Sequence, residues 1–359
     1  MPKDMNLDVV EAPGNLTYVH DDEPGITRRK AGTGWNYKGP DGETIRDEAT
    51  IDRIRKLAIP PAYTDVWICP DPSGHIQATG RDAKGRKQYR YHPEWTQLHA
   101  ETKFARMAEF GRVLPRIRRR VEEDLGKRGL PREKALATVI ALLERTLIRV
   151  GNDEYAKKNK SFGLTTLRNR HAEVKGETVS FSFKGKSGVQ HATSVRDRRL
   201  ARVIRSLQEV KGQRLFQYVD EDGERRAITS ADVNDYLKEI AGEDFSAKDF
   251  RTWAGTISAA KALALQPPAT TKAELKRLTN MCVKATAGLL GNTPTVCRSS
   301  YIHPAVLQAY AENALPSSFA KAEGRPFELA VIRFLDELSN EVEEKTGMTK
   351  DEQVAESNA

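Results

Sequence analysis

The chain of 359 residues is 38% hydrophobic and 30% charged, an ordinary composition for a soluble protein with room for two domains. Its 58 Lys and Arg residues outnumber its 50 Asp and Glu residues, and its three cysteines have neither C-x-x-C nor metal-ligand spacing. These features exclude a disulfide-rich secreted scaffold, and we expect a cytoplasmic protein.

A secreted or membrane protein is also disfavoured. The opening MPKDMNLDVVEAPGN lacks the apolar core of a secretory signal. The most apolar run, from Ala135 to Leu143, is about half as long as a bilayer span requires.

The first part of the chain predicts a β-rich N-terminal domain over residues 1–100. Up to about Pro93, short alternating runs are broken by turn sequences such as Pro40-Asp41-Gly42 and Pro72-Ser73-Gly74. The acidic run Asp21-Asp22-Glu23 lies in a Pro- and Gly-rich stretch, and we interpret it as solvated.

The segment GRDAKGRKQYRYHPEW combines five cations with Tyr89 and Tyr91, which share one face of a strand because they are two residues apart. Basic side chains with aromatic residues between them favour a strand that reads a DNA groove. The alternative is a solvated edge strand with two packing aromatics.

From about Thr102 the apolar spacing becomes helical and predicts a mainly helical domain over residues 101–359. Leu114, Ile117, Val121 and Leu125 form one apolar face, and Pro131 suits the first turn of the next helix. Further helices are predicted in the segments DRRLARVIRSLQEV, SADVNDYLKEI, SAKDFRTWAGTISAAKALA, TKAELKRLTNMCVKATAGLLG and FELAVIRFLDELSNEVEE.

One small sheet is inserted among these helices. The residues from His171 to Val195 alternate, with turns at Lys175-Gly176 and around Lys186. GKSG at 185–188 is therefore part of a strand–turn–strand unit, whereas a P-loop needs a helix after the loop and a glycine where Ser180 stands. Lys186 at the hairpin tip could reach a ligand or could simply be solvated.

Two arginines are candidate phosphate ligands. Arg149 follows an apolar helix, whose carbonyl groups it could instead cap. Arg251 comes early in a predicted helix, where the dipole disfavours a cation and attracts an anion, so its partner is an external phosphate or an acidic side chain. His171, His191 and His303 lack zinc spacing, and no acidic cluster suggests a two-metal site, so we expect no metal.

The segment LLGNTPTVCRSSYIHP places Asn292 nine residues before Tyr301, with a basic, hydroxyl-rich stretch directly before the tyrosine. This pattern is consistent either with a helix end that carries an aromatic packing residue, or with a nucleophile that attacks a phosphate.

The charge along the chain is uneven. From about residue 336 an acidic C-terminal tail begins, and the residues from Asp336 to Glu356 include eight acidic side chains and two lysines. The formal net charge of +8 therefore becomes +14 without this segment, which favours a polyanionic partner. We expect the tail to be a packed helix with a frayed end; the alternative is a surface that mimics DNA.

Five segments, in order, resemble the motifs of the small type IB DNA topoisomerases of the poxvirus and bacterial kind. They are GRDAKGRKQYRY, RVGNDEY with the following SFGLTTLRNRH, FKGKSG, KDFRTWAGT and NTPTVCRSSYIHP, and the resemblance extends from about Leu16 to Leu315. It implies an α+β fold whose two domains clamp DNA. It further implies a monomeric isomerase that relaxes supercoiled double-stranded DNA without ATP, metal or other cofactor.

The resemblance also implies the site residues. Tyr301 would be the nucleophile that forms a 3′-phosphotyrosyl intermediate, Arg149 and Arg251 the phosphate clamp, and Lys186 the general acid. Asn292 stands where viral and eukaryotic relatives carry histidine; its amide can donate a hydrogen bond but carries no charge. The residues expected to contact DNA are Arg86, Lys87, Gln88, Tyr89, Tyr91 and Tyr155.

Two alternatives are open at this point. A tyrosine recombinase uses much the same Arg–Lys–Arg–Tyr chemistry, although such enzymes usually carry a helical N-terminal domain. A non-catalytic DNA-binding protein would need at least one of the five catalytic positions to be replaced, and none obviously is.

Overall fold

The computed structural model describes residues 16–346, and of Ser187 and residues 341–346 only the backbone. Within this range the chain forms two compact units, one of residues 16–105 with 339–346 and one of residues 106–338. None of the described helices is long and apolar enough to cross a membrane.

The first unit contains a five-stranded antiparallel sheet in the order β2-β1-β3-β4-β5. The strands are β1 (Ile26–Ala31), β2 (Gly34–Lys38), β3 (Thr64–Ile68), β4 (Ile76–Arg81) and β5 (Lys87–Tyr91). The two predicted turns are present: the Gly42 N–H donates to the Gly39 carbonyl at 2.9 Å, and the Gly74 N–H to the Asp71 carbonyl at 3.2 Å. The prediction of a β-rich N-terminal region is thus confirmed.

Two helices of this unit were not predicted. Helix α1 (Glu48–Lys56) begins after Asp47, whose carboxylate accepts from the Thr50 N–H at 2.8 Å. It buries only Ile54, against the sheet residues Ile68 and Ala78, which gives too weak a periodicity to detect in the sequence. Helix α2 (Pro93–Ala105) begins nine residues before the expected change of period at Thr102.

The second unit is mainly helical, as expected. Its helices are α3 (Met107–Gly126), α4 (Arg132–Thr146), α5 (Asp153–Asn159), α6 (Arg198–Glu209), α7 (Ser230–Ala241), α8 (Ala247–Ala264), α9 (Lys272–Leu290), α10 (Pro294–Ser300), α11 (Pro304–Ala311), α12 (Ser318–Lys321) and α13 (Gly324–Thr346). The predicted apolar face of α3 is buried throughout, and the five later segments correspond to α6, α7, α8, α9 and α13. The short helices α5, α10, α11 and α12 were missed because four to eight residues show too little periodicity.

Helix α4 is the centre of this unit. Every residue from Ala135 to Leu143 is buried, so the most apolar run of the sequence is a core helix. Because α4 is enclosed on all sides, its C-terminal end is a fixed point from which the following loop starts.

The predicted inserted sheet is present, with the strand order β6-β7-β8. Its strands are β6 (Ala172–Lys175), β7 (Thr178–Lys184) and β8 (Gln190–Arg196), and a 3₁₀ turn, Lys186–Gly188, joins the last two. The interpretation of GKSG as a hairpin tip rather than a P-loop is confirmed. A separate two-stranded ribbon of β9 (Gln217–Val219) and β10 (Arg225–Ala227) was not predicted.

The beginning of the acidic tail is helical. Asp336 lies on α13, where its carboxylate accepts a hydrogen bond from Arg112. The backbone is helical to Thr346, so the prediction of a helix is confirmed to that residue, and the remainder of the tail lies outside the described residues.

Candidate active site

Arg149 is positioned by the loop that follows α4. This helix ends at Leu147, which adopts a left-handed conformation with φ of 54°. The Arg149 carbonyl accepts from the Leu164 N–H at 2.9 Å, and a Cβ atom on Gly163 would lie 2.4 Å from that carbonyl oxygen, so the approach requires glycine. The guanidinium donates to Oδ1 of Asn292 and not to the end of α4, so the capping alternative is wrong for Arg149.

Arg251, in the second turn of α8, is only 4% exposed. Its Nη1 donates to the carbonyl oxygen of Leu147, and its Nη2 to that of Leu290 at 2.7 Å. The guanidinium therefore joins the C-terminal ends of α4 and α9, while its buried Nε has no hydrogen-bond partner among the described residues. The acidic partner considered as an alternative is not found among the described residues, where the side chain of Arg251 donates to backbone carbonyls.

The surroundings of Arg251 act on its charge in two directions. Burial lowers the pKa of Arg251, and the nearby Arg149 lowers it further, whereas a hydrogen bond and charge interaction with Tyr301 raise it. Because an arginine starts from a pKa far above neutrality, it stays charged at physiological pH. The site thus holds two adjacent positive charges.

Asn292 is placed by the end of α9. The helix ends at Gly291, a left-handed residue with φ of 59°, and the Asn292 N–H donates to the Ala287 carbonyl at 2.9 Å. Oδ1 accepts from Arg149, while Nδ2 is buried and has no partner among the described residues. A buried donor without a partner is costly, so this amide is free to donate to a further acceptor.

Tyr301 follows the last residue of α10, and the interpretation of it as a packing residue is confirmed, whereas its role as a nucleophile stays a prediction. Its ring packs on a cluster that includes Leu147, and the Cζ atom of Arg251 lies 5.3 Å from the ring centroid. A Cβ atom on Gly255 would lie 2.3 Å from the Tyr301 carbonyl oxygen, so this glycine allows α8 to approach the backbone of the tyrosine. Arg298, the basic residue just before Tyr301, donates to Asn280 on α9 at 3.0 Å.

Lys186 is exposed at the tip of the β7–β8 hairpin and is the first residue of the 3₁₀ turn. The turn is closed at its base, where the Gly185 N–H donates to the Val189 carbonyl at 2.8 Å. The hairpin is also anchored behind the tip, because the Phe162 N–H donates to the Lys184 carbonyl at 2.8 Å. The lysine is thus exposed, and backbone hydrogen bonds hold the base of its hairpin in place.

The three histidines considered for zinc have other roles. Nδ1 of His171 accepts from the Arg168 N–H at 3.1 Å, and Nδ1 of His303 from the Ala305 N–H at 3.2 Å at the start of α11. His191 packs its imidazole against Gly185 and Gly291, a contact that the sequence analysis missed. Across residues 16–346, no group of three or more His, Cys, Asp or Glu side chains is arranged to hold a metal ion.

Strand β5 is an edge strand, and its two tyrosines project from it together. Tyr89 and Tyr91 are 44% and 45% exposed, and their rings stack with centroids 5.8 Å apart and planes at 9°. The rings therefore contact each other and not a core. Tyr155, on α5 of the second unit, is also exposed.

The cations next to these tyrosines are paired with carboxylates. Asp82 accepts from Arg86 at 2.6 Å and from Gln88 at 3.2 Å, and Arg86 lowers the pKa of Asp82 to about 2. Lys87 pairs with Asp21 at 2.6 Å, and Asp21 also accepts from the Thr79 hydroxyl at 2.7 Å. The interpretation of the acidic run as merely solvated is therefore wrong for Asp21, which binds two side chains of the sheet.

Comparison with known proteins gives consistent matches. A family model described as "Eukaryotic DNA topoisomerase I, catalytic core" matches residues 92–323, and "Bacterial DNA topoisomerase IB, N-terminal domain" matches residues 34–82. DNA topoisomerase 1B of Acanthamoeba polyphaga mimivirus is 34% identical over 297 residues, which is 80% of this chain and 88% of the relative. DNA topoisomerase 1B of Vaccinia virus (strain Copenhagen) is 23% identical over 278 residues, 73% of this chain and 82% of the relative.

Proposed function

The chain belongs to the type IB DNA topoisomerases, isomerases that relax DNA, and we propose that Tyr301 is its nucleophile. The observation that carries this proposal is the contact of Tyr301 with Arg251, whose guanidinium is buried, charged and bound to backbone carbonyls. The matched families and relatives are topoisomerases, which disfavours the recombinase alternative and the non-catalytic alternative.

The reaction is a transesterification. The Tyr301 oxygen attacks the phosphorus of one strand, a bond forms between them, and the bond from phosphorus to the 5′ oxygen breaks. The strand is then held as a 3′-phosphotyrosyl ester, and the duplex rotates around the opposite strand. Attack by the 5′ hydroxyl reverses the steps, and since the ester conserves the energy of the original bond, resealing requires no ATP.

Arg149, Arg251 and Asn292 are proposed to bind the non-bridging phosphate oxygens. These oxygens gain negative charge in the transition state, and preorganised donors stabilise it, with a typical loss of about 3–4 kcal/mol when one donor is removed. Three features support these roles: the two adjacent guanidiniums, the unpaired Nε of Arg251 and the unpaired Nδ2 of Asn292. The same positive charge favours the ionised form of Tyr301.

Lys186 is proposed as the general acid. The departing 5′ oxygen is a poor leaving group, and a lysine gives up a proton far more readily than an arginine. Lys186 lies at the tip of a hairpin whose base is fixed. This place suits a group that must reach the DNA strand from outside the group of phosphate-binding residues.

The proposal extends to the DNA contacts and to the assembly. The stacked, exposed Tyr89 and Tyr91 beside Lys87 support a role of β5 in DNA binding, together with Arg86, Gln88 and, in the second unit, Tyr155. We propose that residues 1–100 and 101–359 act as two domains that clamp a DNA duplex. The enzyme would work as a monomer on the nucleoid and would prefer supercoiled substrates. Sedimentation tests the monomeric state, and competition with relaxed plasmid tests the preference for supercoiled DNA.

The proposed function is tested with supercoiled plasmid in EDTA without ATP. The wild-type chain should give relaxed topoisomers, which also tests the expectation that no metal is needed. Tyr301→Phe should bind DNA almost as well but form no covalent DNA complex detectable by denaturing electrophoresis. A Tyr301→Phe protein that still relaxes plasmid would refute the assignment.

The acid role of Lys186 requires a separate substrate. Lys186→Ala should slow single-turnover cleavage of ordinary DNA. A 5′-bridging phosphorothiolate, whose thiolate leaves without a proton, should restore its rate to nearly that of the wild type. Absence of rescue would remove Lys186 as the acid.

A further inference from the structure

His191 connects the hairpin that carries Lys186 to the residue that precedes Asn292. A Cβ atom on Gly185 would lie 2.4 Å from Cδ2 and 2.6 Å from Nε2 of His191, so the imidazole rests directly on the hairpin base. On its other side, a Cβ atom on Gly291 would lie 3.0 Å from Cε1. The imidazole thus fills the space between two glycines that are 106 residues apart in the sequence.

The imidazole is held in this place by the sheet. His191 lies opposite Phe183 in the β7–β8 register, and the two rings stack with centroids 5.3 Å apart and planes at 10°. Phe183 is itself buried, so the stack fixes the plane of the imidazole against the core. A smaller or more flexible side chain would leave the hairpin base without this support.

The charges around His191 favour its neutral form. Burial lowers the pKa of His191, and the positive charges of Arg149 and Arg251 lower it further. An uncharged aromatic ring can pack beside these guanidiniums without adding a third cation to the site. The role that fits this environment is therefore packing rather than proton transfer.

We propose that His191 is a positioning residue for the general acid: its imidazole holds the hairpin base against Gly291, so that Lys186 reaches the 5′ oxygen of the phosphate bound by Arg149 and Asn292. This inference rests on the proposed function. Displacement of a catalytic group by about 1 Å can slow a reaction on the order of 100-fold, so the loss of such a support affects the rate even though His191 touches no reacting atom.

The test compares two leaving groups under single-turnover conditions. His191→Ala should cleave ordinary DNA about 10- to 100-fold more slowly than the wild type, and should cleave the 5′-bridging phosphorothiolate at nearly the wild-type rate. The double variant His191→Ala/Lys186→Ala should be no slower on ordinary DNA than Lys186→Ala, because both changes impair the same proton transfer to the 5′ oxygen. Equal slowing on both substrates, or no slowing on either, would overturn the inference.

A second variant avoids any dependence on the folding of His191→Ala. Gly185 has φ of −93°, which alanine adopts freely, so Gly185→Ala adds only a methyl group that collides with the imidazole. It should show the same defect and the same rescue, and adding His191→Ala should make it no worse, because the collision is removed. Additive losses in this pair would contradict the proposal.

The controls separate this inference from the function on which it rests. Ser194→Ala changes the exposed face of the same strand and should leave both rates unchanged. If Lys186→Ala itself is not rescued by the phosphorothiolate, the acid assignment fails and the inference fails with it. If Lys186→Ala is rescued and His191→Ala is not, the inference alone is overturned.

Discussion

Two groups of cations in this protein are held in opposite ways. In the second unit, Arg149 donates to the amide oxygen of Asn292, and Arg251 donates to the carbonyl oxygens that end α4 and α9. In the first unit, Arg86 and Lys87 pair with the carboxylates of Asp82 and Asp21. The cations of the second unit thus have neutral acceptors, and those of the first unit have anionic ones.

The difference shows what each group can offer a phosphate. A carbonyl or amide oxygen orients a guanidinium without cancelling its charge, whereas a carboxylate largely neutralises the cation in the free protein. The arginines of the second unit thus keep their charge, as the proposed stabilisation of the transition state requires. The cations of β5 must exchange one anion for another when DNA binds, so they should affect affinity modestly and the chemical step very little.

The largest effect is expected for Arg251→Ala. Single-turnover cleavage should fall about 100- to 1000-fold, as for other lost oxyanion donors. The free energy of unfolding should also fall by about 1–3 kcal/mol for each buried carbonyl left without its donor. Arg226→Ala, which removes an exposed pair with Asp220, is the matched control and should change neither quantity appreciably. A normal cleavage rate in Arg251→Ala would show that a guanidinium held by neutral acceptors does not stabilise the transition state.

Asn292→Asp would give Arg149 a carboxylate partner, which is the arrangement found for Arg86 and Lys87 in the first unit. The new carboxylate would accept from Arg149, cancel its charge and repel the phosphate, so cleavage should slow about 100-fold. Asn292→Ala removes only a neutral donor and should slow cleavage about 10- to 30-fold, because neutral hydrogen bonds are roughly half as strong as charged ones. If the alanine variant is the slower of the two, charge cancellation is not the governing effect.

Lys87→Ala should weaken DNA binding without slowing cleavage at saturating enzyme. The slope of log K against log salt should decrease by about 1, as expected for one lost phosphate contact. Fluorescence anisotropy over a range of salt concentrations measures this slope. An unchanged slope would show that Lys87 keeps Asp21 as its partner in the complex.

Asp21→Asn is expected to have the smallest effect and the opposite sign. The amide can still accept from the Thr79 hydroxyl, but it no longer neutralises Lys87. DNA affinity should rise about two- to fivefold, in line with the 0.2–1 kcal/mol that exposed ion pairs typically contribute. Weaker binding by Asp21→Asn would mean that the carboxylate positions strand β5 for DNA binding instead of neutralising Lys87.

The sequence predicted those parts of the molecule that depend on local periodicity. The face of α3 that contains Leu114 and Ile117 and the hairpin around Lys186 are both found where spacing alone placed them. The resemblance supplied the five site residues, and of these the structure brings Arg149 into contact with Asn292, and Arg251 into contact with Tyr301.

The parts that could not be predicted depend on contacts between distant segments. The acceptors of Arg251 are backbone carbonyls at Leu147 and Leu290, and no residue type marks such an acceptor in a sequence. His191 was judged only by zinc spacing, because its glycine neighbours become adjacent only in the folded chain. A ring directly opposite Phe183 in the predicted hairpin was the one available signal.

The close approach of Gly255 to Tyr301 has a mechanical consequence. Arg251 and Gly255 are one turn apart on α8, so this one helix carries the guanidinium proposed to bind the phosphate and also contacts the backbone of the proposed nucleophile. When the duplex swivels, force on a phosphotyrosyl bond at Tyr301 would therefore act on a residue that lies directly against α8. Ten residues of α8 are buried, so the helix is anchored in the interior of the unit. The proposed phosphotyrosyl bond would therefore stay in place until the 5′ hydroxyl returns to attack it.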